Sequence, residues 1–475
     1  MNTRQLYLNG RWTAPGELIE VVNPATEEPL ARVATVDRAG VRQALGDAHA
    51  AREPWRKLTG QKRGAYLHAV ADAIERRRDE FARTITLENG KPLAQSRGEV
   101  GMTVDHLRWF AEEGRRAYGR IVPHQAEGKR HMVVRTPIGV VGAISPWNFP
   151  LVLAVRKAAP ALAAGCPVVL KPASATPLCC VMLAEAVDEA GLPPGVFQLV
   201  LGNSREIGAE MLENPVCRKI SFTGSTEVGQ TLIRGAADQV TKLSLELGGH
   251  APVLVFDDVD LDRAVEGALV AKMRNTGQSC IAANRLYVQR TIYQAFLERF
   301  VQRAASLKVG NGLEEGVEIG PLIDRSALES ALQHVDQAVA GGAKVLCGGK
   351  RCGEKGFFIE PTVLVDVPDE SLCLREETFA PVAPVAPFDD EAEAVERANA
   401  TRYGLAAYAF TNDLSRVWRL AEQIEAGTIG INEGAPATSN CPFGGLKHSG
   451  WGRELGSEGL DAFLETKHVS LGVNA

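Results

Sequence analysis

Residues 139–144 read GVVGAI and open a region, continuing to Asp257, in which short β-rich runs alternate with amphipathic stretches. β-Branched residues suit a pleated backbone, so a strand buried on both faces is expected here. The same reading gives strands at 167–170, 197–200, 218–222, 242–245 and 253–256, with helical patterns at 178–190 and 227–237 between them. Repeated β-α-β with short links predicts a parallel sheet covered by helices. Such an architecture suits a nucleotide, although topology alone does not fix the ligand.

Upstream, a strand-like opening at 6–12 precedes long helical patterns from Asp37 to Arg116, in which Leu67, Val70, Ala71 and Ile74 recur at helical spacing. Downstream, a second α/β block runs from about Leu261 to Asn432, with strands expected at 286–288, 362–365 and 428–431 and helices at 293–306 and 392–400. Residues 118–136 read as a hairpin inserted into the first domain, and 467–471 as a further strand. The expected fold class is therefore α/β, with two parallel-sheet domains. Residues 1–118 with 138–248 would form the nucleotide-binding domain and 249–442 the catalytic domain. Segments 119–137 and 459–475 would form an oligomerisation β-arm, since protruding strands with open edges join subunits, here into a dimer or tetramer.

With 475 residues the chain exceeds what one hydrophobic core organises, so more than one domain is expected. A net charge of −6 without a block of one sign argues against a nucleic-acid or anionic-membrane partner. Residues 1–12 show no secretory signal, and no apolar run is long enough to span a bilayer. The nine cysteines are scattered; Cys179 and Cys180 are adjacent and Cys347 and Cys352 lie five apart, neither being a zinc-ligand spacing. Reduced thiols in a cytoplasmic setting, with no metal, are expected.

One cysteine has neighbours that suggest chemistry. Cys280 ends the polar, glycine-containing run NTGQSC (275–280). A thiolate is a strong nucleophile, but a free thiol with a pKa of about 8.5 needs a base or a positive field to ionise. Glu246, at a strand end in LELGG (245–249), is a candidate base if burial raises its pKa; it also reads as an ordinary solvated carboxylate. Asn148, between two prolines in SPWNFP (145–150), could cap the following helix or hold an oxyanion with its amide. Gly224 and Ser225 follow a strand and open a helix, where backbone N–H groups can meet phosphate.

The motifs PWNFP, KPAS, FTGSTEVG, LELGG, NTGQSC and EETFAPV, in this order from Pro146 to Val382, resemble those of the aldehyde dehydrogenase superfamily. The resemblance extends from YLNGRW (7–12) almost to the last residue and implies that family's fold. It implies Cys280 as nucleophile, Glu246 as base for a deacylating water, Asn148 as oxyanion donor with the Cys280 N–H, and Lys157 as a proton-path or geometry residue. It implies NAD or NADP as cofactor, contacted by Ser145, Trp147, Lys171, Ser174, Gly224, Ser225, Leu247, Glu377 and Phe379. A GxGxxG loop is absent from the first turn, in line with this family's different use of its nucleotide sheet.

Arg156 stands in LVLAVRKAA (151–159), a helix otherwise too apolar to be solvated, and Arg274 lies six residues before Cys280. A buried guanidinium needs a partner, and it can clamp a carboxylate through two parallel hydrogen bonds. Both residues also read as members of structural ion pairs. Within the superfamily the two positions resemble succinate-semialdehyde dehydrogenases, implying a distal carboxylate on the substrate. Ala437 stands where that resemblance leads one to expect a serine, and Ala282 where some relatives carry a second cysteine. Glutarate semialdehyde, or a phosphonate- or sulfonate-bearing aldehyde, is the alternative substrate. A catalytically silent protein on the same fold is the alternative class. Ser174, near Lys171, would tolerate the 2′-phosphate of NADP, which a glutamate would repel.

Overall fold

Strand β1 (Val140–Ile144) lies in the middle of the first sheet of the computed structural model, which describes residues 2–473. Met1 and the last two residues of the 459–475 segment lie outside the described residues. The chain runs on through α5 (Pro150–Ala164), β2 (Val168–Lys171), α6 (Leu178–Glu189), β3 (Phe197–Leu199), α7 (Ser204–Glu213), β4 (Cys217–Thr223), α8 (Thr226–Ala236) and β5 (Lys242–Glu246). The spatial order is β3-β2-β1-β4-β5, all parallel. After β1 the connections run outward to β3, then return across to β4. The crevice at the carboxyl ends of β1 and β4 is thus the switch point where such sheets hold ligands. Residues 145–149, 224–225 and 247–249 all leave strands at that end.

Before this sheet come four helices, α1 (Arg38–Arg56), α2 (Gly60–Arg76), α3 (Arg78–Asn89) and α4 (Leu93–Glu113). Helices α2 and α4 pack on each other and on α5. The strand-like opening is two strands, Leu6–Leu8 and Arg11–Thr13, because Asn9 and Gly10 take φ of 49° and 73° and turn the chain in two residues.

The second sheet contains β6 (Ala251–Val255), β7 (Ala283–Gln289), β8 (Lys344–Cys347), β9 (Thr362–Val365), β10 (Val382–Phe388), β11 (Ala406–Phe410) and β12 (Thr428–Ile431), with α9 (Leu261–Met273) between β6 and β7. Its order is β8-β9-β10-β7-β6-β11-β12, and β8 alone is antiparallel to its neighbour. This corrects the grouping of 253–256 with the first sheet: Gly248 and Gly249 carry the chain out of it, and β6 starts the second. Periodicity cannot report such a change, because β6 is as apolar as β1. Strands β10 and β11 are interior although the first carries Pro384 and Pro387 and the second is alanine-rich.

Strands Arg120–Val122, Lys129–Pro137 and Leu464–Gly472 form a separate antiparallel sheet, registered from Leu464 opposite Pro137 to Gly472 opposite Lys129. A last short strand, Gly450–Trp451, returns to pair with β5. Among the described residues no helix is long and apolar enough to cross a membrane, and no group of three or more metal-ligating side chains occurs.

Candidate active site

All fifteen residues of α5 are buried, so Arg156 and Lys157 are charges inside an apolar element. The helix has no side-chain cap of its own. Asn148 is not that cap: its amide Nδ2 donates to the Gln278 carbonyl at 3.1 Å, while its Oδ1 is buried without a partner. The first-turn N–H groups of Leu151 and Val152 are instead met by Glu99 from α4, at 3.0 and 3.2 Å.

The Cys280 loop is held by unusual backbone. Asn275, Thr276 and Gly277 take φ of 51°, 58° and 74°, three consecutive left-handed residues. Only glycine fits the third, since a Cβ there would lie 2.3 Å from the Ala380 carbonyl oxygen. Such conformations cost about 1–3 kcal/mol for non-glycine residues and persist where surroundings fix them. Here Asn275 donates to the carbonyls of Asn148 (2.8 Å) and Gln278 (3.1 Å), and Thr276 donates to that of Gly320 (3.1 Å). The result is a half-buried thiol bordering two cavities, one of about 210 Å3 and one of about 40 Å3. Burial pushes the Cys280 thiol up to about 12, the Glu377 carboxylate adds to the rise, and Arg156 opposes it.

Glu246 is the last residue of β5 and is 2% exposed, with both carboxylate oxygens unpartnered. Burial and the neighbouring charge of Glu454 hold its pKa well above the usual carboxylate range, while Lys157, Arg453 and Arg156 pull it back. Gly444 makes room for it: a Cβ there would sit 2.9 Å from Glu246 Oε1. Lys157 is fully buried and donates to Glu454 Oε1 and Thr223 Oγ1, both at 2.5 Å. Lys157 is thus paired with Glu454 and not with Glu246, whose burial beside a second carboxylate is what moves a base toward neutral pH.

Arg156, Arg274 and Cys280 border the same 40 Å3 cavity, together with Met102, Phe443 and Ala437. Arg156 is 6% exposed, its Nε has no partner, and its guanidinium lies over the Phe443 ring at 5.0 Å. Arg274 lies over Phe149 at 5.2 Å and donates a long bond to the Met102 sulfur at 3.8 Å. Among the described residues neither guanidinium makes a contact ion pair; Glu454 acts on Arg156 and Glu99 on Arg274 only at longer range.

A model of the aldehyde dehydrogenase family matches residues 12–469. The chain is 48% identical to a glutarate-semialdehyde dehydrogenase of Pseudomonas aeruginosa, over 99% of this chain and 98% of that protein. It is equally 48% identical to an NADP+ succinate-semialdehyde dehydrogenase of Escherichia coli, with the same coverage. A crystal structure of an NADP-dependent enzyme from E. coli superposes with a TM-score of 0.98 at 47% identity, covering 99% of this chain and 98% of that one. The chain belongs to the aldehyde dehydrogenase family. It is an oxidoreductase that oxidises an aldehyde with a nicotinamide nucleotide as electron acceptor.

The larger cavity of this aldehyde dehydrogenase suits that nucleotide. Trp147, Gly224, Ser225, Leu247, Glu377 and Phe379 line it with Asn148 and Cys280. Trp147 and Phe379 meet edge-to-face with centroids 5.5 Å apart, and Phe379 is held at φ 49°. Glu377 is half-buried and accepts one hydrogen bond, from the Gly249 N–H at 3.1 Å; desolvation pushes its pKa up to about 8. A carboxylate with spare acceptor capacity fits a ribose hydroxyl. Ser145 Oγ and Thr378 Oγ1 are buried without partners. Three of the expected contacts do not line the cavity: Ser145 is the buried residue directly after β1, Lys171 is the buried last residue of β2, and Ser174 is exposed on the following loop.

The sequence reading missed Glu454, Lys91 and Glu99. Glu454 lies far from any motif that names it. Lys91 just precedes α4 and Glu99 lies in its second turn, where a charge is ordinarily solvated, yet both are fully buried and paired at 2.6 Å.

Proposed function

We propose that this enzyme oxidises a short aldehyde bearing a distal anion, succinate semialdehyde above others, through a thioester on Cys280. The observation that carries the reading is the pair of guanidinia, Arg156 and Arg274, without carboxylate partners on the small cavity that Cys280 borders. One enclosed water needs roughly 10–15 Å3 on this measure. A cavity of about 40 Å3 therefore suits a chain of few carbons. Ala437, smaller than serine, favours glutarate semialdehyde as the second reading, since it leaves room for one more methylene.

In this reading the Cys280 thiol releases its proton to water in the cavity as its sulfur attacks the carbonyl, and the Asn148 amide and the Cys280 N–H stabilise the hemithioacetal oxyanion. Bound in the larger cavity, the nicotinamide supplies the hydride acceptor. Glu246 then takes a proton from the water that cleaves the thioester, with Lys157 and Glu454 behind it. Residues 1–118 and 138–248 serve as the nucleotide-binding domain and 249–442 as the thiol domain. The open edges of the Leu464–Gly472 sheet support assembly into a homo-oligomer, a dimer or tetramer.

Arg156→Ala or Arg274→Ala is expected to lower kcat/KM for succinate semialdehyde about 10- to 100-fold, because a hydrogen bond to a charged group contributes roughly 1.5–3 kcal/mol. An uncharged aldehyde of similar length should lose far less. Equal losses on both substrates would withdraw the anionic assignment and leave the aldehyde dehydrogenase assignment standing.

The cofactor is proposed to be NADP as well as NAD, because Ser174 is uncharged, exposed and three residues beyond Lys171. Ser174→Glu is expected to shift the ratio of kcat/KM for NADP and NAD about tenfold or more toward NAD, by charge repulsion with the 2′-phosphate. An unchanged ratio would mean that Ser174 does not face the ribose.

A further inference from the structure

Lys91 and Glu99 are both fully buried, and a buried ion pair gains little over an apolar pair of the same volume. What such a pair does must therefore be sought in its hydrogen bonds. Lys91 Nζ donates to Glu99 Oε2 at 2.6 Å and to the main-chain carbonyl of Asn148 at 2.6 Å. The same Nζ sits 3.8 Å from the centroid of the Phe149 ring, which lies 5.2 Å from the Arg274 guanidinium. The other oxygen of Glu99 accepts from Leu151 and Val152 at the start of α5. A second donor reaches the Asn148 carbonyl from the thiol loop, Asn275 Nδ2 at 2.8 Å.

The backbone of residues 148–152 is thus tied down from two directions, and its most constrained atom is the carbonyl of Asn148. An oxyanion donor acts only if it is in place before charge develops, so the backbone that aims it must not swing. We propose that Lys91, held by Glu99, is a positioning residue that fixes the Asn148 amide at the oxyanion site. The inference rests on Asn148 being the oxyanion donor. Lys91 itself lines neither cavity, so its loss should reduce turnover and leave ground-state binding nearly intact.

A double-mutant cycle on the full-length enzyme tests this, with kcat and KM measured for NADP and succinate semialdehyde. Asn148→Ala is expected to lower kcat by about 100-fold. Lys91→Met is expected to lower kcat by about 10- to 100-fold, with both KM values within about twofold. In the Asn148→Ala background the same Lys91→Met change should cost less than about threefold, because its effect passes through the amide. Lys91→Met leaves Glu99 unpaired, so the cycle is repeated with Lys91→Met/Glu99→Gln, which keeps an acceptor for Leu151 and Val152 without a bare charge. This pair should restore the thermal midpoint and keep the kcat loss. A Lys91→Met loss of equal size in both backgrounds, or full kcat in the Lys91→Met/Glu99→Gln enzyme, would overturn the positioning role while the Asn148 reading stands. An unchanged kcat in Asn148→Ala would overturn both.

Discussion

Cys280→Ala is expected to reduce kcat/KM for aldehyde oxidation by about 10^4-fold or more and to eliminate any covalent acyl-enzyme. Removing a nucleophile from a site whose other parts remain usually leaves only what binding and oxyanion stabilisation provide. The cysteine lies where the two cavities meet, bordered on one side by Trp147, Glu377 and Phe379 and on the other by Arg156 and Arg274. No other cysteine borders either cavity, so none can substitute. Nucleotide binding, followed by quenching of protein fluorescence, should be unchanged, because the thiol side chain forms little of the larger wall. Retention of more than a few per cent of wild-type turnover would remove Cys280 from the chemistry.

Glu246→Gln is expected to separate the two halves of the reaction. The first turnover should still release one equivalent of reduced nucleotide as a burst, while steady-state kcat falls by about 10^2- to 10^4-fold, the range a positioned general base contributes. The pH profile adds a second readout. A base works only when deprotonated, and burial with Glu454 nearby holds Glu246 protonated well above the usual carboxylate range. Wild-type kcat, where hydrolysis limits it, should therefore rise with pH over a limb displaced upward. Glu454→Gln should move that limb to lower pH, since it removes the neighbouring negative charge. Glu246→Gln should flatten it. A wild-type limb lying at ordinary carboxylate pH would contradict the assignment.

How much of this was legible in the sequence depended on whether a residue acts within a motif or across the fold. Cys280, Glu246, Asn148 and Glu377 sit in short runs whose glycines and prolines mark turns at strand ends, and those runs converge at the switch point of the first sheet. Arg156 was legible because a charge in LVLAVRKAA has no solvent to face. Lys91, Glu99 and Glu454 were not, because their neighbours in sequence look like any exposed helix or turn and their partners are 57, 52 and 297 residues away. The second sheet was less legible than the first for a related reason. Strand β10 contains two prolines and still lies between two neighbours, and β11 is rich in alanine, so propensity pointed away from both while burial decided in their favour.

The most direct measurement is the mass of Glu246→Gln enzyme after one turnover with NADP and succinate semialdehyde, followed by peptide mapping. The account predicts one succinyl group per chain, carried by the peptide containing Cys280, released by hydroxylamine and absent when the nucleotide is omitted. An adduct on any other residue, or a full burst of reduced nucleotide with no adduct at all, would contradict a thioester on Cys280.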